Sequence, residues 1–112
     1  MKKFLLIVLG AILSVPFFYN HSFGFDAVKK LKSMKVCRKC NLVGVDLTGA
    51  SLKKADPINS NLSGANLQGA SFEKTNISKA NLVGANIKKN EMKGAILCHT
   101  KTPWGDDNSG CK

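Results

Sequence analysis

The sequence predicts an all-β solenoid, a backbone wound into a rod whose interior is a stack of side-chain rungs. The first observation behind this is a five-residue phrase that runs without slippage over residues 60–89, SNLSG-ANLQG-ASFEK-TNISK-ANLVG-ANIKK. Each phrase is a small residue, a small polar residue, a large apolar residue and two variable ones. The large position holds Leu62, Leu67, Phe72, Ile77, Leu82 and Ile87, and the small position holds Ser60, Ala65, Ala70, Thr75, Ala80 and Ala85. The second observation is the period. On an α-helix a step of five advances about 140° beyond a full turn and smears the large residues around the cylinder. On a flat strand an odd spacing sends them to opposite faces. Only a chain that bends at every phrase turns them all inward. The third is glycine at the second corner position (Gly44, Gly49, Gly64, Gly69, Gly84 and Gly94), where a sharp corner needs its backbone freedom.

Within a phrase the small and large residues point inward, the polar residue between them faces out, and the last two make the corner. The asparagines are placed to bond to nearby backbone in Asx turns. This A(D/N)LXX phrase resembles that of the pentapeptide-repeat family. The resemblance implies a right-handed quadrilateral β-helix with four phrases per coil, over residues 37–104; the period of five does not itself set the number of sides.

Residues 1–24 read as an export signal. Lys2 and Lys3 precede a mostly apolar run from Phe4 to Phe18, and Ser22-Phe23-Gly24 offers a cleavage site after Gly24. Pro16 and Asn20 break the run too early for a membrane span, so no stable span is expected after cleavage, and the localisation expected is periplasmic or secreted. Removing 24 of 112 residues leaves 88, a single small domain. Two of the 17 basic residues go with it, so 15 face seven acidic ones and the net charge is +8, which favours polyanions.

Residues 25–36 are expected to form a helix that caps the first rung. Val28, Leu31 and Met34 recur at spacing three behind Phe25, Asp26 suits the N-terminus, and the lysines gather towards the C-terminus. Such a cap covers solenoid backbone that otherwise invites stacking with another copy.

Cys37-Arg38-Lys39-Cys40 follows, with Cys40 at the small position of the first phrase, CNLVG. Export favours a structural Cys37–Cys40 disulfide. A redox CxxC lacks its βαβ setting, haem attachment lacks a following histidine, and zinc lacks two further ligands. The phrases then run on as VDLTG, ASLKK, ADPIN, the central six, NEMKG, AILCH and TKTPW. Pro57 removes a backbone donor from a large position, so pairing is expected to weaken there. Asn90 falls at a small interior position, where a buried amide needs partners.

The phrase is lost in the tail, residues 105–112, where turn residues dominate and Asp106, Asp107 and Asn108 lack EF-hand spacing. Trp104 is expected to lie over the last rung. With the four phrases per coil that the resemblance implies and about 4.8 Å between coils, Cys40 and Cys98 stand roughly 14 Å apart, beyond the ~7 Å reach of a disulfide. The bridges are therefore expected at the two ends, Cys37–Cys40 and Cys98–Cys111, with no shared metal site and His99 a corner residue.

Fourfold winding stacks residues twenty apart. One corner then carries Lys53-Lys54, Glu73-Lys74 and Lys93-Gly94, with Lys88 and Lys89 on its neighbour, and the opposite corner carries Val43, Ser63 and Val83. The six lysines form a candidate patch for anionic envelope components, and the valine corner a candidate self-association face. No serine–histidine–acid set, paired carboxylates or phosphate-cradling loop is present. The chain is expected to be a non-enzymatic scaffold or protein-interaction module with a protein partner and no cofactor. The alternatives are polyanion binding through the lysine corner and thiol–disulfide exchange at the CxxC. Family members that imitate a DNA duplex and bind type II topoisomerases do so with acidic surfaces, a role not expected of this basic, exported chain, and nucleic acid is not an expected partner.

Overall fold

A computed structural model describes residues 26–112. The backbone climbs one level every twenty residues. Parallel bridges join Asn41 to Asn61 and Asn61 to Asn81, Asp46 to Asn66 and Asn66 to Asn86, Ser51 to Ser71, and Asn76 to Ile96. In each pairing the large residue's N–H donates to the coil above, as Leu62 N to Asn81 O at 2.7 Å, and the polar residue's N–H donates to the coil below, as Asn61 N to Cys40 O at 3.0 Å. One residue per phrase is too short a contact for a named strand, so the repeat β-helix is built from isolated bridges.

Corners close by one recurrent bond. The carbonyl of the large residue accepts from the N–H three residues on, as Leu62 O from Ala65 N at 3.1 Å. The residue before that donor takes a positive φ, between +59° and +85°, whether it is Gly44, Gly64, Gly94, Lys54, Lys74 or Lys79. Asn41, Asn61, Asn66, Asn76 and Asn81 accept through Oδ1 from the N–H two residues on, at 3.0–3.2 Å, holding the outer strand in register with its turn.

The core is the column of large residues. Leu42, Leu47, Leu52, Pro57, Leu62, Leu67, Phe72, Ile77 and Leu82 are fully or almost fully buried, with the alanines of the small position packed between them. Leu62 and Leu82 lie on successive coils at the same side. Three small positions are filled by hydroxyl residues, and each donates to the large-position carbonyl of the preceding coil: Ser60 to Cys37 O at 2.6 Å, Thr75 to Leu52 O, and Thr100 to Ile77 O at 3.0 Å. Pro57 forgoes its upward bond, yet Asp56 N to Lys35 O and Asn59 N to Ser78 O hold the chain on either side, at 2.8 and 3.0 Å.

Residues 26–29 are α-helical and Lys30–Met34 continue as π-helix, stopped by Lys35 at φ +60°. The buried face is Ala27 and Leu31, with Val28 half-buried. Met34 is 66% exposed, so the spacing-three stripe does not hold: the wider π turn carries Met34 away from the core. Phe25 and residues 1–24, expected to be an export signal, lie outside the described residues.

Winding begins one phrase earlier than CNLVG. Val36 bridges Asp56, Lys39 N donates to Ile58 O at 2.9 Å, and Cys37 fills the large position, 3% exposed. At the other end a 3-10 turn, Lys89–Met92, interrupts the phrase. It keeps Met92 buried but turns Asn90 out to solvent, so the expected buried amide is not there. The tail forms an antiparallel hairpin, β1 (Thr100–Thr102) with β2 (Gly105–Asp107), Lys101 facing Asp106. Trp104 sits in its turn and is 39% exposed, so it is not a lid. The last rung is covered instead by the chain beyond β2: Gly110 N donates to Leu97 O at 2.6 Å, and Asn108 Oδ1 accepts from His99 N at 2.7 Å. A Cβ on Gly110 would fall 2.8 Å from Leu97 N, so only glycine allows this approach.

Candidate functional site

The twenty-residue rise stacks corners into columns, and charge is unequal among them. Lys53-Lys54, Glu73-Lys74 and Lys93-Gly94 stack in one, tied by Lys54 N to Glu73 O at 3.0 Å and Lys74 N to Gly94 O at 2.9 Å. All six residues are exposed. Lys53 is held, however: its ammonium lies 3.0 Å from Glu73 on the next coil, and that hydrogen bond and charge keep the Glu73 carboxyl below the usual carboxylate range. Lys54, Lys74 and Lys93 make no ion pair among the described residues.

Lys88 and Lys89 belong to the neighbouring column, above Thr48-Gly49 and Gln68-Gly69, where the 3-10 turn breaks the ladder. Gly69 N–H finds Glu91 Oε1 at 3.1 Å, and Lys88 N–H finds Glu91 Oε2 at 2.8 Å. These two donors, Lys88 the stronger, hold the Glu91 carboxyl down, so one side chain repairs the gap. The valine column, Val43, Ser63 and Val83, carries no charge, and both valines are about half exposed.

A second basic column went unrecognised in the sequence. Arg38-Lys39, Ile58-Asn59, Ser78-Lys79 and Cys98-His99 stack through Lys39 N to Ile58 O, Asn59 N to Ser78 O and Lys79 N to Cys98 O. Arg38 reaches Asp56 Oδ2 through Nε at 2.8 Å and Nη2 at 2.6 Å, and Asp56 Oδ1 is buried with no partner. Lys39 and Lys79 are exposed at the positive-φ position. The signal that reveals this column is the twenty-residue interval counted back from His99, applied before the first recognisable phrase.

The cysteines close the two ends as Cys37–Cys40, Cα atoms 5.5 Å apart, and Cys98–Cys111, 4.8 Å apart. Around the first bridge Ser60 Oγ accepts from Cys40 N at 3.0 Å and donates to Cys37 O, completing a corner that backbone alone leaves open. Cys98, His99 and Cys111 bring their ligand atoms within 4.8 Å of one another, but both sulfurs are spent in the disulfide and only the imidazole is available to a metal. An open hollow of about 350 Å³ lies between the helix and the first coil, bounded by Asp26, Ala27, Lys30, Lys39, Cys40 and Asn41. It holds one carboxylate and no nucleophile–base pair. No helix among the described residues is long and apolar enough to cross a membrane.

The model of the family described as pentapeptide repeats matches this chain over residues 40–78 and 65–101, with eight copies. Among solved structures, the chain resembles HetL, a pentapeptide repeat protein involved in heterocyst differentiation regulation in the cyanobacterium Nostoc sp. strain PCC 7120. There the identity is 24%, the TM-score 0.53, and the match spans 63% of this chain and 42% of that one. A pentapeptide repeat protein from the Arabidopsis thaliana thylakoid lumen is 32% identical over 59% of this chain and 50% of its own, with a TM-score of 0.30. The chain thus spans half or less of the length of either. No curated protein matches it.

Proposed function

Because the chain belongs to the pentapeptide-repeat family, we propose that it is an exported scaffold that works through its outer surface, binding a protein partner without catalysis. The observation that carries this is where the chemistry lies: the inward side chains are apolar or hydroxyl-bonded into the ladder, and the charge of the coils stands outside, on the corners and the outer rows. The leader directs the chain to the periplasm or outside, where both disulfides are stable. The coil is taken to be four-sided and right-handed, in keeping with the twenty-residue rise.

Thiol–disulfide exchange fits less well. Cys37 is buried and Cys40 is partly covered, so neither sulfur stands open to an attacking thiolate. Polyanion binding is the stronger second reading, favoured by the exposed Lys54, Lys74 and Lys93 with Lys88 and Lys89 beside them.

The test is photocrosslinking in the producing cell, with a reactive residue placed in turn at Ser63, Gln68, Lys74 and Lys79. A scaffold yields a discrete adduct from one face and none from the opposite one. Adducts that ignore the face, or none from any position, reject the reading.

A further inference from the structure

Two basic columns, the lysine corner and the Arg38-Lys39-Lys79 corner, border the same side of the rod. Between them runs the outer row Val36, Asp56, Asn76 and Ile96, bonded coil to coil by Val36–Asp56 and Ile96–Asn76 bridges and by Asn76 N to Ala55 O. We propose that this side is the docking face for an anionic lipid bilayer, the rod lying along the membrane surface; the inference rests on the polyanion reading above and deepens it.

Charge is the first argument. Seven of the basic side chains stand on this side, against Asp56 and Glu73. Both acids are neutralised locally, by Arg38 and Lys53, which leaves Lys39, Lys54, Lys74, Lys79 and Lys93 facing outward. The opposite side, between the valine corner and Lys88-Lys89, has Asp46 to offset part of its charge. The second argument is the apolar content. Val36 is 51% exposed and Ile96 41%, and both occupy positions where the phrase elsewhere puts a polar or charged residue. Met34, two residues before Val36 in the chain, is 66% exposed. Apolar residues framed by lysines suit a headgroup layer, with the side chains reaching towards the acyl boundary and the ammonium groups at the phosphates. A soluble polyanion calls for the lysines alone and leaves the three apolar residues without a use.

Sedimentation of the full chain with vesicles of phosphatidylcholine containing about one-third phosphatidylglycerol tests this. Each lysine at such a surface is worth about fivefold in affinity. The variant Lys39→Glu, Lys54→Glu, Lys74→Glu, Lys79→Glu is therefore expected to bind at least fiftyfold more weakly. The control Lys88→Glu, Lys89→Glu, Lys101→Glu, Lys112→Glu has the same net charge and should lose less than fivefold. Val36→Ser with Ile96→Ser should weaken vesicle binding severalfold while leaving heparin binding unchanged. Equal losses in both charge variants overturn the assigned face. Heparin binding through these lysines with no vesicle binding, or vesicle binding indifferent to Val36 and Ile96, overturns the bilayer but keeps the polyanion reading. Binding to neither removes both.

Discussion

Ser60 stands where most phrases place alanine, and its hydroxyl does what backbone does at other corners. Residues 42–45 close with Val45 N to Leu42 O, whereas at residues 37–40 the disulfide holds the cysteines and Ser60 Oγ bridges Cys40 N–H to Cys37 C=O. Ser60→Ala strands a donor and an acceptor away from water, and is expected to cost about 1–3 kcal/mol in denaturant unfolding with both disulfides intact. Backbone sign decides the corner residues. Gly84 sits at φ +71° with room for a methyl group, so Gly84→Ala should cost about 1 kcal/mol through conformation alone. Lys74 adopts φ +59° without that freedom, and Lys74→Gly should raise the melting temperature by a few degrees. A loss on Lys74→Gly would show that the lysine stem contributes packing that outweighs its backbone cost.

The stack of coils has an open edge at either end, and the chain covers the two edges differently. At the start Leu31 and Ala27 lie against the first coil, so Leu31→Ala should cost about 2–5 kcal/mol and expose the amides of residues 36–42 to hydrogen exchange. At the finish the cover is hydrogen-bonded and cross-linked, and Cys98→Ser with Cys111→Ser should cost about 3 kcal/mol, with fast exchange confined to the hairpin and tail. The central coils were legible in the sequence because a period of five leaves the large residues one place to go, and the glycines and asparagines mark each bend. The ends were not. Lys35–Lys39 is a full phrase in space, but lysine at the small position and cysteine at the large one disguise it, which also hid the Arg38-Lys39-Lys79 column. Asn90 is in register by count, yet Glu91 captures the Lys88 and Gly69 N–H groups and a 3-10 turn forms instead. Met34 follows a helical stripe that holds only for 3.6 residues per turn, and the chain widens there to π. At Asn90 a contact from another coil overrode a pattern read along the chain.

At the scale of the whole rod, stability is a sum of coil interiors and coil-to-coil contacts, with few coils to share it. Side-chain carboxylates reinforce those contacts: Glu73 reaches Lys53 across a coil boundary, and Glu91 ties Gly69 to the turn above. Both carboxyls are held below their ordinary values, as are Asp46 by Thr48 and Asp107 by Ser109. Their unfolded-state values are about 4, so the folded state gains from them above that pH and loses the gain as pH falls through the depressed folded values. Melting temperature should therefore hold level from pH 7 to 5 and drop below pH 4, with a shallower drop in Glu91→Gln.

Position along the rod should matter more than the size of the side chain removed. Leu67 and Leu97 fill the same kind of site, but Leu67 has coils on both sides, while Leu97 has the tail on one. Leu67→Ala opens a cavity that every unfolding route must pass, and should lower global stability by about 3–5 kcal/mol while raising exchange throughout. Leu97→Ala can be relieved by releasing the last coil alone, so its loss should appear as local exchange over residues 96–111, with the protection of Leu47 and Leu67 amides little changed. Uniform exchange in both variants would show that the coils unfold as one unit, with the disulfide-closed ends too firmly attached to fray.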